Sequence, residues 1–270
     1  MQIVAIVLVH DEDVFVEQAI RNVAGFCDVI HAVDHVSSDG TWDVLSRLER
    51  ELGNVEARRT HRAGDSHTLL ERYAGTDTWV FGVDGDELYD PGRLTGFREQ
   101  LVAGAYDHAF KIASNVVNCV ELDRRRMTAA GYPSPPSRSI TKLYNFAALE
   151  SWAGDGAERL HGGRPVFRPG YDERTVDNIG ELLSWDESPL RCLHMCFLPR
   201  SSLETEATTG PRPILEHSGM HDRSWRGALK RMVRPTRPPA ETADWKREKY
   251  MRGDLVTVDA TPFFEDQSSA

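Results

Sequence analysis

Cysteine is scarce in this sequence: four among 270 residues (Cys27, Cys119, Cys192 and Cys196), at no regular spacing. That excludes a disulfide-stapled scaffold and fits reduced thiols in a cytoplasmic setting. Long apolar runs are absent too, so no segment reaches the ~20 residues that a membrane-spanning helix needs. The first apolar run, Gln2–Val9, has no basic flank or small-residue cleavage site, so no secretory leader is expected. Nor is there an excess of positive charge. Lys+Arg 32 against Asp+Glu 42 leaves a formal net charge of -10, which excludes nucleic acid or an anionic membrane as the principal partner. No internal repeat is visible. What is present is ordinary for a soluble enzyme, 40% hydrophobic and 27% charged, in a chain long enough to bury one large α/β core.

The first ninety residues alternate strand and helix signals, the mark of a parallel sheet with helices on its faces. Gln2–Val9 is continuously apolar, as a strand buried on both faces should be. Val14, Ala19, Ile20 and Val23 predict a helix over 13–24, with Asp11, Glu12 and Asp13 supplying its cap and first-turn charge. Strands are predicted at 28–33, 55–59 and 79–83, and helices at 41–52 and 66–74. After Pro91 the rhythm changes to a helix near 93–103, then extended stretches at 108–120, 140–146 and 190–198. Loop and short helix are expected over 152–170. Beyond Pro199 the chain is polar and rich in arginine and proline.

In an open parallel sheet the ligand crevice lies beyond the carboxyl ends of the strands. The residues there are His10-Asp11-Glu12, Asp34 to Asp39, His61-Arg62 and Asp84-Gly85-Asp86-Glu87. Asp84 and Asp86 repel one another, and a hard divalent cation with oxygen ligands, Mn²⁺ or Mg²⁺, would relieve that repulsion. The glycine between them would let a ligand approach the backbone. Asp-Gly-Asp is also simply a favourable turn; its place after the fourth strand, beside three other polar strand ends, gives it more weight. For Asp34 to Thr41 the structural alternative is a capped helix start, with Ser38 or Asp39 as the cap.

Three stretches together resemble the GT-A glycosyltransferases, in particular the family 2 type: "IVLVHDEDVFVEQAIRN", "AVDHVSSDGTWDVL" and "VFGVDGDE". Their order and separation agree over roughly the first 90 residues. The resemblance implies a GT-A fold, a Rossmann-like nucleotide-binding mixed α/β sheet flanked by helices. It also implies a single main domain over 1–198, with a nucleotide-sugar-binding half (1–90) and an acceptor-binding half (91–198). A polar lid or helical extension over 199–270 with a frayed tail would follow. It further implies a nucleotide diphosphate sugar donor, uridine by default, and a small-molecule or glycan acceptor. By resemblance His10, Asp11, Glu12, Asp34, Arg62, Asp84 and Gly85 would line the donor site. Asp34 would meet the base and Arg62 the base or diphosphate; Asp84 would face the ribose or sugar, with Asp86 the metal ligand proper.

The late stretch "RCLHMCFLPRSSLE" resembles the strand whose histidine completes the metal site in several GT-A enzymes, here His194. On a strand Cys192, His194 and Cys196 share one face, so a satisfied core histidine and a zinc ligand are the alternatives. An inverting transferase also needs a general base. "ESWAGDGAERLHGG" lies where the family carries it, with Glu158 ranked ahead of Asp155. Trp152 is either a sugar platform or a buried anchor. The basic run Arg223, Arg226, Lys230, Arg231 and Arg234 is a solvated face, a lid over the diphosphate or an amphipathic membrane contact, the last weakened by having only Trp225, Leu229, Met232 and Val233 as apolar partners. Three other readings compete. A haloacid-dehalogenase-type phosphohydrolase would carry its Asp pair on the first strand. A sugar-phosphate nucleotidyltransferase would open on a glycine-rich, arginine-bearing loop, and an inactive sugar-binding relative needs no base.

Overall fold

The computed structural model describes residues 1–154, 158–204 and 247–264. Four parallel strands form its centre: β1 (Gln2–Val9), β2 (Val29–Asp34), β3 (Val55–Arg59) and β4 (Thr78–Val83). They are linked by α1 (Val16–Ala24), α2 (Thr41–Glu51) and α3 (Asp65–Glu71). A short β5 (Glu87–Tyr89) and α4 (Pro91–Val102) follow. The later chain adds β6 (Lys111–Ala113), β7 (Asn115–Asp123), β8 (Thr128–Ser134), β9 (Thr141–Asn145), β10 (Leu149–Ala153), β11 (Arg164–Phe167) and β12 (Val176–Asn178). It closes with α5 (Ile179–Leu182), β13 (Arg191–His194) and β14 (Val256–Asp259).

Seven strands make one sheet in the order β12-β6-β9-β4-β1-β2-β3. β1 pairs in parallel with both β2 and β4, while β9 enters antiparallel between β4 and β6. A second sheet, β14-β8-β7-β13-β5, grows from the turn after β4, because β5 pairs antiparallel with β13. This mixed sheet with flanking helices and a companion sheet agrees with the expected GT-A-like architecture. No helix among the described residues is long and apolar enough to cross a membrane.

The core follows from the strand patterning. β1 is buried from its second residue onward, and its side chains divide between two apolar layers. Ile3, Ala5 and Val7 pack with α1, α2 and α4 on one face; Ile6 and Leu8 pack with Val80, Phe110 and Trp152 on the other. A third cluster joins Phe15 and Ala19 to Val117, Leu193, Met195 and Phe263.

Several elements differ from expectation. α1 starts only at Val16, and Phe15 precedes it with no side-chain cap. Of the acids expected to cap it, Asp11 and Asp13 are turned to the β2–α2 loop and Glu12 to Arg200. Residues 152–170 hold no helix among those described; β10 and β11 form an antiparallel hairpin there. β13 ends at His194 because Met195 N–H leaves the ladder to donate to Asp86 carbonyl at 2.8 Å. Within the expected C-terminal extension, β14 belongs to the second sheet, where it pairs with β8, and Phe263 is fully buried.

Candidate active site

The ends of β1, β2 and β4 converge, and their carboxylates are held there by hydrogen bonds between loops. Asp11, at φ 52°, lies in the left-handed region that aspartate tolerates better than most residues. This turns its carboxylate onto the neighbouring loop, where Oδ1 accepts from Ser38 N (2.6 Å), Ser38 Oγ (3.1 Å) and Asp39 N (3.3 Å). Its own amide donates to Ser37 Oγ at 2.9 Å. Val36 is also left-handed, at φ 56°. For a β-branched residue that strain is of order 1–3 kcal/mol, of the kind that clusters at binding loops. The cap position of α2 is Gly40, with no side-chain cap bond, so neither Ser38 nor Asp39 caps it; Asp39, one residue earlier, accepts from Thr41 N at 2.9 Å.

Asp34 is fully buried at the end of β2. Its carboxylate accepts from Ser37 N (3.1 Å) and pairs with Arg59 Nε at 2.9 Å; the Arg59 guanidinium also lies 5.7 Å from the Trp42 ring centre. Arg62, in contrast, is 85% exposed, 3.8 Å from Asp65. His10 Nδ1 contacts the His35 carbonyl at 2.8 Å, which ties the first two strand ends together.

Packing requires a glycine at position 85. A Cβ there would lie 2.5 Å from Glu12 Oε2 and 2.7 Å from Val9 Cγ1. Both distances are shorter than side chains tolerate, so only glycine lets Glu12 lie against the Asp-Gly-Asp turn.

The repulsion between Asp84 and Asp86 is relieved by two arginines. Asp84 Oδ1 takes a short hydrogen bond from Arg159 Nη1, and Arg159 Nη2 reaches Glu158 Oε1 at 3.3 Å. Asp86, only 1% exposed, is bonded by Arg200 Nη1 at 2.9 Å, and the same nitrogen bonds Glu12 Oε1 at 3.0 Å. Burial alone would push the Arg200 guanidinium down, but the attraction of Asp86 and Glu12 outweighs it and holds the group above its ordinary value.

Arg159 is set by its surroundings. At φ 49° it too is left-handed; Ser66 Oγ accepts its amide at 2.9 Å and His67 Nδ1 contacts its carbonyl at 2.9 Å. The β10–β11 connection is thereby fixed to α3, and Glu158 is buried within one arginine's width of Asp84. Asp155 lies outside the described residues, as does the basic run 223–234. Trp152 is a buried anchor, packed 5.1 Å from Phe146 and 5.8 Å from His67, ring centre to ring centre.

His194 faces Asp86 from β13, with Nε2 3.8 Å from Asp86 Oδ1. Asn118 Nδ2 donates to the Tyr132 carbonyl at 3.3 Å, which turns Asn118 Oδ1 toward His194 Nδ1 at 2.9 Å. That contact places a proton on Nδ1, and Nε2 is the ring nitrogen nearer Asp86. Two ligands about 2.1 Å from one octahedral ion lie about 3.0 Å apart when adjacent and about 4.2 Å apart when opposite; the 3.8 Å between Asp86 and His194 lies between the two. Among the described residues no group of three or more His, Cys, Asp and Glu is arranged to hold a metal. Tyr250 stands edge-on to His194 at 5.6 Å, with Lys249 over its ring at 4.6 Å.

The structure thus gathers Glu12, Asp84, Asp86, Glu158 and His194, ties Asp11 and Asp34 into the rim, and leaves Arg62 at its exposed edge. Sequence reasoning missed Arg59, Arg159, Arg200, Asn118 and Tyr250. Charge balance offered the one available signal: an acidic rim must be neutralised, and Arg159 and Arg200 are the arginines nearest in sequence after Glu158 and His194.

No protein-family model matches the sequence, and no curated protein matches it. Among solved structures, S. aureus TarS (residues 1–349) is similar at a TM-score of 0.38 and 13% identity, over 67% of this chain and 61% of that one. A 4-diphosphocytidyl-2C-methyl-D-erythritol synthase from Anaerococcus prevotii is similar at 0.33 and 14%, over 54% of this chain and 70% of that one. A UDP-glucose pyrophosphorylase complexed with UDP-glucose is similar at 0.28 and 11%, over 62% and 75%. The chain therefore spans about three fifths of the length of the TarS fragment.

Proposed function

We propose that this chain transfers a sugar from a nucleoside diphosphate sugar, with uridine as the first nucleoside to test, to an acceptor hydroxyl with inversion. The observation that carries the reading is the convergence of Asp84, Asp86, His194 and Glu158 at the carboxyl end of β4, beside the Glu12 and Asp34 strand ends. Asp86 and His194 would hold a divalent ion, Mn²⁺ or Mg²⁺, whose charge stabilises the leaving diphosphate. Asp34 and Arg62 would serve the nucleoside side of the crevice, and Asp84 the ribose or sugar. Glu158 would accept the acceptor's proton as the new glycosidic bond forms at C1 and the bond to the diphosphate breaks. Arg159, bonded to both Asp84 and Glu158, would hold the base at a fixed distance from the donor.

The test is a thermal-shift screen of uridine, cytidine, guanosine and adenosine diphosphates, each with and without Mn²⁺. A ligand bound only by the folded state raises the melting temperature by mass action. One nucleotide should stabilise the protein more with Mn²⁺ than without, and Asp86→Ala should lose that increment while its circular dichroism stays unchanged. Stabilisation that survives excess chelator, or an increment retained in Asp86→Ala, removes the metal from the reading. No stabilisation by any nucleotide overturns it.

A further inference from the structure

Asp34 and Arg59 end adjacent parallel strands, β2 and β3, and stand directly opposite one another in their register. Asp34 has no exposed surface, and both of its oxygens are engaged. Ser37 N reaches Oδ1 at 3.1 Å and Oδ2 at 3.3 Å, and Arg59 Nε meets Oδ2 at 2.9 Å. No ligand can touch this carboxylate unless the pair opens. Arg59, in contrast, is 40% exposed at the carboxyl end of its strand, the edge along which a ligand crevice runs. Its Nη2 donates to the Ser37 carbonyl at 2.6 Å, in the loop where Val36 is held left-handed, and its guanidinium lies over the Trp42 ring. A carboxylate, a carbonyl and an aromatic face together fix the plane of the group. A guanidinium has five N–H donors, and Asp34 and Ser37 take one each. The remaining donors, on Nη1 and Nη2, meet no acceptor among the described residues. Arg62 has no such support: it is 85% exposed and lies 3.8 Å from Asp65 alone.

We propose that Arg59 selects the nucleobase of the donor, and that it selects keto over amino bases: uracil over cytosine, and guanine over adenine. This rests on the reading of the strand-end crevice as a nucleoside diphosphate site. Arginine can only donate hydrogen bonds. Uracil O4 and guanine O6 are acceptors, whereas cytosine N4 and adenine N6 carry donors at the corresponding ring position. A fixed donor facing another donor leaves both unpaired, and that penalty falls only on the amino bases. Asp34 acts through Arg59, as a positioning residue, because its own carboxylate is already spent.

The test is calorimetric titration with uridine, cytidine, guanosine and adenosine diphosphates at one Mn²⁺ concentration, compared within the pyrimidine pair and within the purine pair so that ring size cancels. In whichever pair binds, the keto member should bind the parent on the order of tenfold more tightly than the amino member. In Arg59→Met that preference should fall below about twofold. Because Arg59→Met leaves Asp34 as a lone buried charge that can unfold the protein, the double variant Asp34→Asn/Arg59→Met, which removes both charges, should show the same loss. Equal affinity of the parent for both members of a pair, a preference for the amino member, or a keto preference retained without Arg59 overturns the selection while leaving the nucleotide site standing. No binding of any nucleotide by the parent overturns the nucleotide site and the selection with it.

Discussion

Three acids of the candidate site, Glu12, Asp84 and Asp86, and the arginines that answer them come from different halves of the chain. Asp11, Glu12, Asp34, Asp84 and Asp86 all fall in the first ninety residues, each just after or at the end of a strand of the central sheet. Arg159 reaches Asp84 across 75 residues, Arg200 reaches Asp86 across 114 and Glu12 across 188, and His194 lies on β13 of the second sheet. The early half thus builds an anionic crevice whose Glu12, Asp84 and Asp86 are met by arginines of the late half, while Asp34 is met by Arg59 within the early half. A polar cluster divided in this way is complete only when both sheets are assembled, which couples the chemistry of the site to the docking of the second sheet.

Glu158 tests that division most severely. If the late half supplies the proton acceptor, Glu158→Gln should lower turnover of the stabilising nucleotide's sugar donor by about 10²–10⁴ while donor and Mn²⁺ affinity stay near the parent's. Steady-state rates and calorimetry on one preparation check both. Loss of donor affinity instead would make Glu158 a binding residue acting through Arg159.

Next comes the ion pair that joins the halves away from the crevice. Arg191 Nε and Nη2 bond Asp90 Oδ2 at 2.9 and 2.8 Å, both residues are buried, and Asp90 also caps α4 by accepting from Arg93 N. Arg191→Met should cost about 3–5 kcal/mol in urea denaturation, because Asp90 is left as an uncompensated buried charge. A loss under about 1 kcal/mol would show that the interface is held by its apolar contacts alone.

A smaller effect is expected within the early half. Gly85→Ala should destabilise by about 1–3 kcal/mol, the usual cost of overpacking, since its methyl group would displace Glu12. Equilibrium unfolding measures it, and an unchanged stability would show that Glu12 can move aside.

The smallest effect lies in the exposed network of Glu17, Arg21, Arg47 and Glu51, contained in the first 51 residues. The Arg47 hydrogen bond, joined by that of Arg21, outweighs partial burial and holds the Glu17 carboxyl at about 2, below its ordinary 4.5. A depressed folded-state value contributes stability above the unfolded value and loses it as pH falls through the folded one. The contribution is therefore present above about pH 4.5 and disappears toward pH 2. Solvent screening limits it to about 1 kcal/mol or less. Glu17→Gln should flatten that part of the stability–pH curve, and 1 M salt should shrink the difference.

Much of the early half was legible because its signals are local. A continuous apolar run identifies β1 to the residue, and the same reasoning finds β3 and comes within one residue of the starts of β2 and β4. The rim acids could be read because strand ends in a parallel sheet share one edge. Where local signals conflicted with longer-range partners, the partners won. Asp11 and Asp13 suit a helix cap, yet Ser38 and Ser202 claim them, so α1 starts late. The glycine- and charge-rich stretch after Trp152 resembles a loop, but Trp152 is buried among Phe110, Tyr144 and Phe146 and holds β10 in a hairpin. Residues 256–264 fell within a stretch read as polar as a whole, although VTVDATPFF is itself mostly apolar; they add a strand to β8 and insert Phe263 into the core.

By itself, then, the sequence determined the parallel core, the strand-end acids and the glycine between two of them, since apolar periodicity and turn chemistry act over a few residues. Tertiary structure alone decided which cation meets which acid, which histidine nitrogen faces Asp86, and that Glu158 lies beside Asp84. Most of those are contacts across 75 residues or more between side chains on different sheets and loops, and no local pattern encodes the distance between them.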